Sequence, residues 1–406
     1  MTDDQQWQAP GAPVPPSAAQ PVAPPTGYGP PPPTGMPLPP GPPPIGLPAT
    51  AQAGWTPPPK PGLVPLRPMT LGTILGGAFQ TLRRNPAATL APALILTVLV
   101  AVIQVVGSAG FLSSYLGTVT SLSSGDEVPS DSDIGGLASS FIGYAITTLL
   151  SGLLSLIVTA IVEAIVTVQV ASSTVGARLK LSGLWRRLRG RRGAVIGWAA
   201  LTGAVVLLAF GIVILALVGI GITGPAGVGI AVVLGLLLGA GLFVVFVWLW
   251  VKLGFVLAAI VLERTSILAS MRRSWRLTNG AFWRTLGIRL LVVAMVWVAT
   301  SIITTPVSLL FSLGGVVLQP NGSPESALTG TLLVSTIVSQ GVTAIISAVG
   351  LVISTATVSL LYLDRRMRLE GLDLDLARFV ERRAAGEQGL RDPYLPADAP
   401  RPGSAA

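Results

Sequence analysis

The sequence predicts an all-α membrane protein: a six-transmembrane-helix bundle with interfacial amphipathic helices and a disordered Pro-rich N-terminal tail. Three observations carry this reading. Of the 406 residues, 51% are hydrophobic and only 11% charged, whereas a water-soluble chain carries about 25% charged residues, so lipid must solvate most of this one. Apolar runs of membrane-spanning length recur along the chain. Arg and Lys fall in alternate connections between those runs, the pattern that sets orientation in a bilayer.

The first run covers residues 88–110. The second, 141–176, is interrupted only by Glu163. The apolar stretch from Ala194 to Leu262 is too long for one helix, and Thr223-Gly224-Pro225-Ala226-Gly227 is a turn signal that divides it into 195–222 and 228–262. The fifth run is 286–311, with Arg289 near enough to its start to snorkel to the interface. The sixth is 328–363. Beyond it, Leu369, Leu372, Leu376, Phe379 and Val380 keep the spacing of one helix face, so an amphipathic helix closes the membrane domain, read as residues 65–385.

The flanks read differently. Residues 1–68 hold 24 of the 35 prolines, a composition that packs no core and favours polyproline II, so 1–64 is read as a disordered tail. The opening residues include Asp3 and Asp4 and no apolar h-region, unlike a signal peptide. Residues 386–406 are read as a second loose tail.

Basic residues decide the topology. The connections 113–138, 223–227 and 313–330 contain no Lys or Arg. The opposite connections carry Arg83 and Arg84, a cluster from Arg178 to Arg192, a set from Arg264 to Arg284, and Arg365, Arg366 and Arg368. This places the basic segments and both termini in the cytoplasm. Arg outnumbers Lys 23 to 3 beside heavy Ala, Gly and Pro use, which points to a GC-rich bacterial genome and a bacterial plasma (inner) membrane. The formal charge of +9 invites a nucleic-acid reading, but the charges sit beside apolar runs and act as topology signals; no nucleic acid is expected as partner.

Three basic connections share one layout. Thr70-Leu-Gly-Thr-Ile-Leu leads to Arg83-Arg84, Ser182-Gly-Leu-Trp to Arg189–Arg192, and Ser266-Ile-Leu-Ala-Ser-Met to Arg272-Arg273-Ser274-Trp275. Each reads as a capped amphipathic helix, a basic patch, a break and a membrane helix. Three units follow, each an interfacial helix plus a transmembrane hairpin, with anionic head groups of the bilayer as partner for the arginines.

Chemistry is sparse. There is no Cys and no His, which removes disulfides, thiolate metal sites and the commonest general base. No Ser-His-Asp set, Walker A loop or HExxH is present; no catalytic residue, metal or cofactor is expected. Glu163 and Lys252 are the ionisable residues deep inside runs. At 1.5 Å per residue they lie roughly 22 and 18 Å from the inner basic boundary, so they are expected to pair if spans two and four are neighbours, as a structural lock or as part of a transport path; the alternative is a snorkelling Lys252 and a protonated Glu163. Ser151, Ser155, Thr159 and Thr167 share the face of Glu163. Ser335, Ser339, Thr343 and Ser347 form a second polar stripe, and Gly235 with Gly239 a small-residue pair. Asp364, Glu370, Asp373 and Asp375 offer carboxylates, but the adjacent Arg365, Arg366 and Arg368 favour ion pairing over a metal.

Three motifs carry a family resemblance. The segment from Glu263 through Arg272, Arg273, Ser274 and Trp275 to Phe282 and Trp283 is similar to a connection in the glycerophosphoryl diester phosphodiesterase membrane domain. The segment Tyr362–Leu374, with Asp364, Arg366, Glu370, Gly371 and Asp373, resembles the close of that domain, and Pro65–Leu75 its start. The resemblance spans about residues 60–380 and implies the membrane domain only. The hydrolytic barrel of fused members needs catalytic His, absent here, so no catalytic residue transfers. The expected role is a non-enzymatic membrane organiser or interaction protein, with a protein partner met through the cytoplasmic helices or the Pro-rich tail. The alternative is a transporter or channel for a small solute or lipid that uses Glu163 and Lys252.

Overall fold

The computed structural model describes residues 62–63, 65–123, 131–177, 179–318 and 324–395; the tail read over 1–64 lies almost wholly outside them. Six helices are long and apolar enough to cross a membrane: Pro86–Gly117, Ser139–Thr174, Arg192–Gly221, Ala226–Glu263, Phe282–Phe311 and Leu333–Glu370. They match the six apolar runs, and the described residues contain no strand. The chain is a multi-pass membrane protein.

The helices are α1 (Leu71–Arg84), α2 (Pro86–Ser123), α3 (Asp131–Thr174), α4 (Leu181–Arg187), α5 (Arg192–Gly221), α6 (Pro225–Lys252), α7 (Val256–Ala258, continued by a π turn over Ala259–Glu263), α8 (Ile267–Thr278), α9 (Phe282–Leu318), α10 (Pro324–Glu370) and α11 (Leu372–Ala384). Short helices α1, α4 and α8 each precede a hairpin, α2–α3, α5–α6 and α9–α10, as the repeated layout predicts. Side-chain capping is less regular. Thr70 caps α1 by accepting from Thr73 N–H at 3.3 Å, whereas α4 starts after Lys180 and α8 after Ser266, both without a side-chain cap.

The core is built on α3 and α10, the two most buried spans. Small residues let helices approach: a Cβ on Gly107 of α2 would lie 2.1 Å from Thr147 Cγ2 of α3, and one on Gly350 of α10 would lie 2.6 Å from Val296 Cγ1 of α9. The α3 polar stripe faces inward as expected. Ser151 Oγ donates to Gln104 Oε1 of α2 at 2.6 Å, and Thr167 Oγ1 pairs with Ser359 Oγ of α10 at 3.0 Å. The second stripe is less deeply placed: Ser335, Ser339 and Thr343 are half-buried and Ser347 is exposed, while the fully buried line on α10 is Ala344, Ala348, Val352, Ala356 and Leu360. The smaller alanines allow the closer approach, and Thr97 of α2 reaches the Ala344 carbonyl at 3.3 Å. Of the glycine pair, Gly235 meets Leu217 across the hairpin; Gly239 meets nothing. In the α5–α6 hairpin, α5 buries Val195, Ala199 and Gly203 and packs beside α3, and α6 buries Gly227 and Val251. Its outer part exposes Leu, Ile, Val and Phe on all sides, which hydrocarbon tolerates and water does not.

The fourth span is not one helix. It breaks at Leu253–Phe255, and the following segment Val256–Glu263 is wholly buried. Groups from two other helices satisfy the opened backbone. Ser274 Oγ of α8 donates to the Lys252 carbonyl at 2.7 Å and accepts from Phe255 N–H at 3.1 Å. The guanidinium of Arg289 donates to the Trp250 carbonyl and lies over the Trp250 ring at 3.7 Å. Its Nη1 occupies the space of a Cβ at residue 254, which is why glycine stands there. Arg289 therefore turns inward, only 8% exposed, rather than snorkelling: a freed carbonyl inside the bundle is a better partner than the distant interface.

Candidate functional site at the basic end of the bundle

The motif residues converge where the basic connections meet α10. On one face of α10 lie Tyr362, Arg366 and Glu370, spaced four apart. Glu263, the last residue of the π turn, accepts from the Tyr362 hydroxyl and pairs with Arg273 of α8 at 2.9 Å. Arg273 also binds Glu370 at 2.6 Å. Arg366 Nε reaches Glu370 at 3.0 Å and Glu263 at 3.5 Å. The result is a closed ring of two acids and two arginines under a tyrosine. Burial opposes the Arg273 charge, but Glu263 and Glu370 outweigh it and hold the guanidinium above its ordinary value.

Two residues further along the helix is about 200° of rotation, the opposite face. There Asp364, fully buried, accepts from Met69 N–H at 2.7 Å and pairs with Arg284 at 3.1 Å and Arg368 at 3.0 Å. The same two arginines donate to the Met69 carbonyl at 2.9 and 3.0 Å. Thus the segment before α1, the start of α9 and the end of α10 are tied at one aspartate. Gly371 then takes a left-handed conformation (φ 67°) and turns the chain into α11. Asp373 begins α11 and joins neither cluster.

Other expected site residues fall elsewhere. Ser274 is buried and stitches the break in span four. Arg272 is exposed on α8, Trp275 meets Trp248 edge-on at 5.0 Å, and Phe282 meets Trp283 edge-on at 5.4 Å. Trp283 is 79% exposed. The expected Glu163–Lys252 pair is not formed. Lys252 Nζ donates to Asn279 Oδ1 at 2.7 Å, 5.1 Å from the Trp275 ring centre, while Glu163 is half-buried and forms no salt bridge among the described residues. A depth measured at 1.5 Å per residue presumes an unbroken helix; the break at Leu253 removes Lys252 from that line.

The ion pairing expected of Asp364 with its neighbouring arginines is formed with Arg368, four residues on. Other participants escaped the sequence reading. Arg284 carries no local signal, and neither does Tyr394. That residue lies in the region read as a loose tail, yet the tyrosine is buried. Its hydroxyl donates to the Ala171 carbonyl at 2.8 Å and touches Thr174 Oγ1, and its own carbonyl accepts from Arg366 at 2.9 Å. Burial first of all pushes its hydroxyl far above the ordinary phenol range. The tail is docked through Leu395 because the last turn of α3 leaves carbonyls without helical partners. Leu63 N–H takes another of them, Ser173, at 2.9 Å, and Gly62 also lies against the end of α3.

A family model described as a domain of unknown function, DUF7847, matches residues 69–363. The chain belongs to that family. No curated protein and no solved structure matches. The DUF7847 match runs from Met69, tied to Asp364, to the residue just before that aspartate. It therefore contains Glu263, Arg273, Arg284 and Tyr362 and stops short of Arg366, Arg368 and Glu370. Among the described residues, no group of three or more acidic side chains could hold a metal ion. The carboxylates and guanidinium groups of the two clusters bind one another and tie helix ends together.

Proposed function

We propose that this chain is a non-enzymatic organiser of a bacterial plasma membrane, inserted with its basic end and both termini in the cytoplasm. The supporting observation is that the carboxylates of the two clusters are bound by arginines, which leaves a rigid base and, on it, an open outer face of α8. That face carries Leu268, Arg272, Trp275 and Arg276, all exposed, and Arg and Trp are the residues on which binding energy concentrates at interfaces. A photo-crosslinker at position 272 in native membranes is expected to capture one discrete protein. Arg276→Ala should weaken that capture without lowering the melting temperature. Absence of any crosslinked species would count against the reading.

A second reading rests on the broken fourth span beside Arg289 and Glu163, since discontinuous helices mark solute paths in transporters. If the chain conducts a small solute or lipid, Glu163→Gln should abolish flux in proteoliposomes and leave the crosslink in place. Flux equal to that of the unaltered protein removes this alternative.

A further inference from the structure

The arginines at the basic end form two populations. Arg273, Arg284, Arg366 and Arg368 are bound to carboxylates. Those around α4 are not. No Asp or Glu occurs between Glu163 and Glu263, and among the described residues Arg186, Arg189, Arg191, Arg192 and Arg264 make no ion pair.

These cations are nonetheless held in place. Leu184 and Leu188 are buried beneath α4, and Asn85 Nδ2 fixes the approach to it by donating to the Leu179 carbonyl at 3.0 Å. Arg192 Nη2 donates to the Trp185 carbonyl at 3.1 Å, and its guanidinium lies 4.4 Å from the Trp185 ring centre. Arg191 Nη1 reaches the Thr265 carbonyl at 3.4 Å, next to Arg264. Arg264 has a left-handed backbone (φ 56°), the single non-glycine residue to do so among the described residues, a conformation unfavourable for a side chain of its size. Burial, and then the nearby Arg264 charge, keep the Arg191 guanidinium below its ordinary value. Arg191 is thus held beside the strained turn at Arg264, and among the described residues no carboxylate forms an ion pair with either arginine. Exposed Trp185 and Leu181 sit beside them, an aromatic and an aliphatic group of the kind found at the boundary between head groups and acyl chains.

We propose that Arg191 and Arg264, flanked by Arg186, Arg189 and the Arg192–Trp185 stack, bind the phosphate of an anionic phospholipid head group. Planar guanidinium donors match phosphate oxygens in pairs, and the offsetting charge comes from the lipid. The site is independent of the organiser reading; only the leaflet, the cytoplasmic one, depends on the orientation proposed above. It also distinguishes the second unit from the third, where Arg273 and Arg284 carry their counter-charges within the protein.

The test uses the full chain in detergent, titrated with phosphatidylglycerol and, separately, with phosphatidylcholine or inorganic phosphate, while melting temperature and bound lipid by native mass spectrometry are read. Phosphatidylglycerol is expected to bind and raise the melting temperature, less so as salt is added, and phosphatidylcholine to do neither. Arg264→Gly is the informative variant, because glycine accepts the left-handed backbone. It should melt no lower than the parent without lipid, yet bind phosphatidylglycerol about fivefold more weakly, the fold-change for one surface arginine. Arg186→Gln with Arg189→Gln should weaken it further. Unchanged phosphatidylglycerol affinity in both variants would overturn the site. Saturation by millimolar inorganic phosphate, with no preference for the lipid, would overturn the lipid as its ligand and leave a soluble phosphoryl group in its place.

Discussion

Glu263→Ala is expected to destabilise the chain by about 3–5 kcal/mol, the usual cost of removing one partner from a buried ion pair. Its carboxylate is 2% exposed, and the arginines it would abandon, Arg273 and Arg366, are 16% and 6% exposed, so water cannot easily replace it. The Tyr362 hydroxyl would lose its acceptor as well. The loss should appear as a large fall in the melting temperature of the detergent-solubilised protein. Removing Arg273 together with Glu263 should recover part of it, since an unpaired buried charge costs more than an absent pair. A fall of only a degree or two in the single variant would mean that the ring is solvated and not structural.

Asp364→Ala is expected to cost less, about 2–3 kcal/mol. The aspartate is itself fully buried, but its arginine partners, Arg284 and Arg368, are each 37% exposed and regain water when it is lost. The penalty is mainly the orphaned Met69 N–H and the release of the segment before α1. Proteolysis near residue 69 should therefore accelerate in this variant and not in Glu263→Ala. The two clusters occupy opposite faces of α10 and share no side chain, so the double variant should be additive to within about 0.5 kcal/mol. A larger coupling would show that α10 transmits strain between its faces.

Legibility differed between the parts of the molecule for physical reasons. Membrane spans were readable because hydrocarbon acts on every residue of a run alike, so a one-dimensional property suffices; the runs at 195–222 and 286–311 became helices with nearly the same limits. The layout of a short helix before each hairpin was readable from composition too. Which line of α10 is buried deepest was not, because serine and alanine are both tolerated in lipid and the neighbouring α2 backbone selects the alanine line. The Glu163–Lys252 pairing failed for a related reason: a turn at Leu253–Phe255 carries no proline and is stabilised by Ser274 and Arg289, distant in sequence.

The chain alone determined its solvent, its number of crossings and the end at which its arginines gather, since those follow from local hydropathy and charge. Only tertiary structure decided which charges neutralise one another. Glu263 meets Tyr362 across 99 residues and Asp364 meets Met69 across 295, separations at which no spacing rule operates. Partners are chosen by the packing of α8, α9 and α10, and the arginines left over around α4 become visible only once those choices are made.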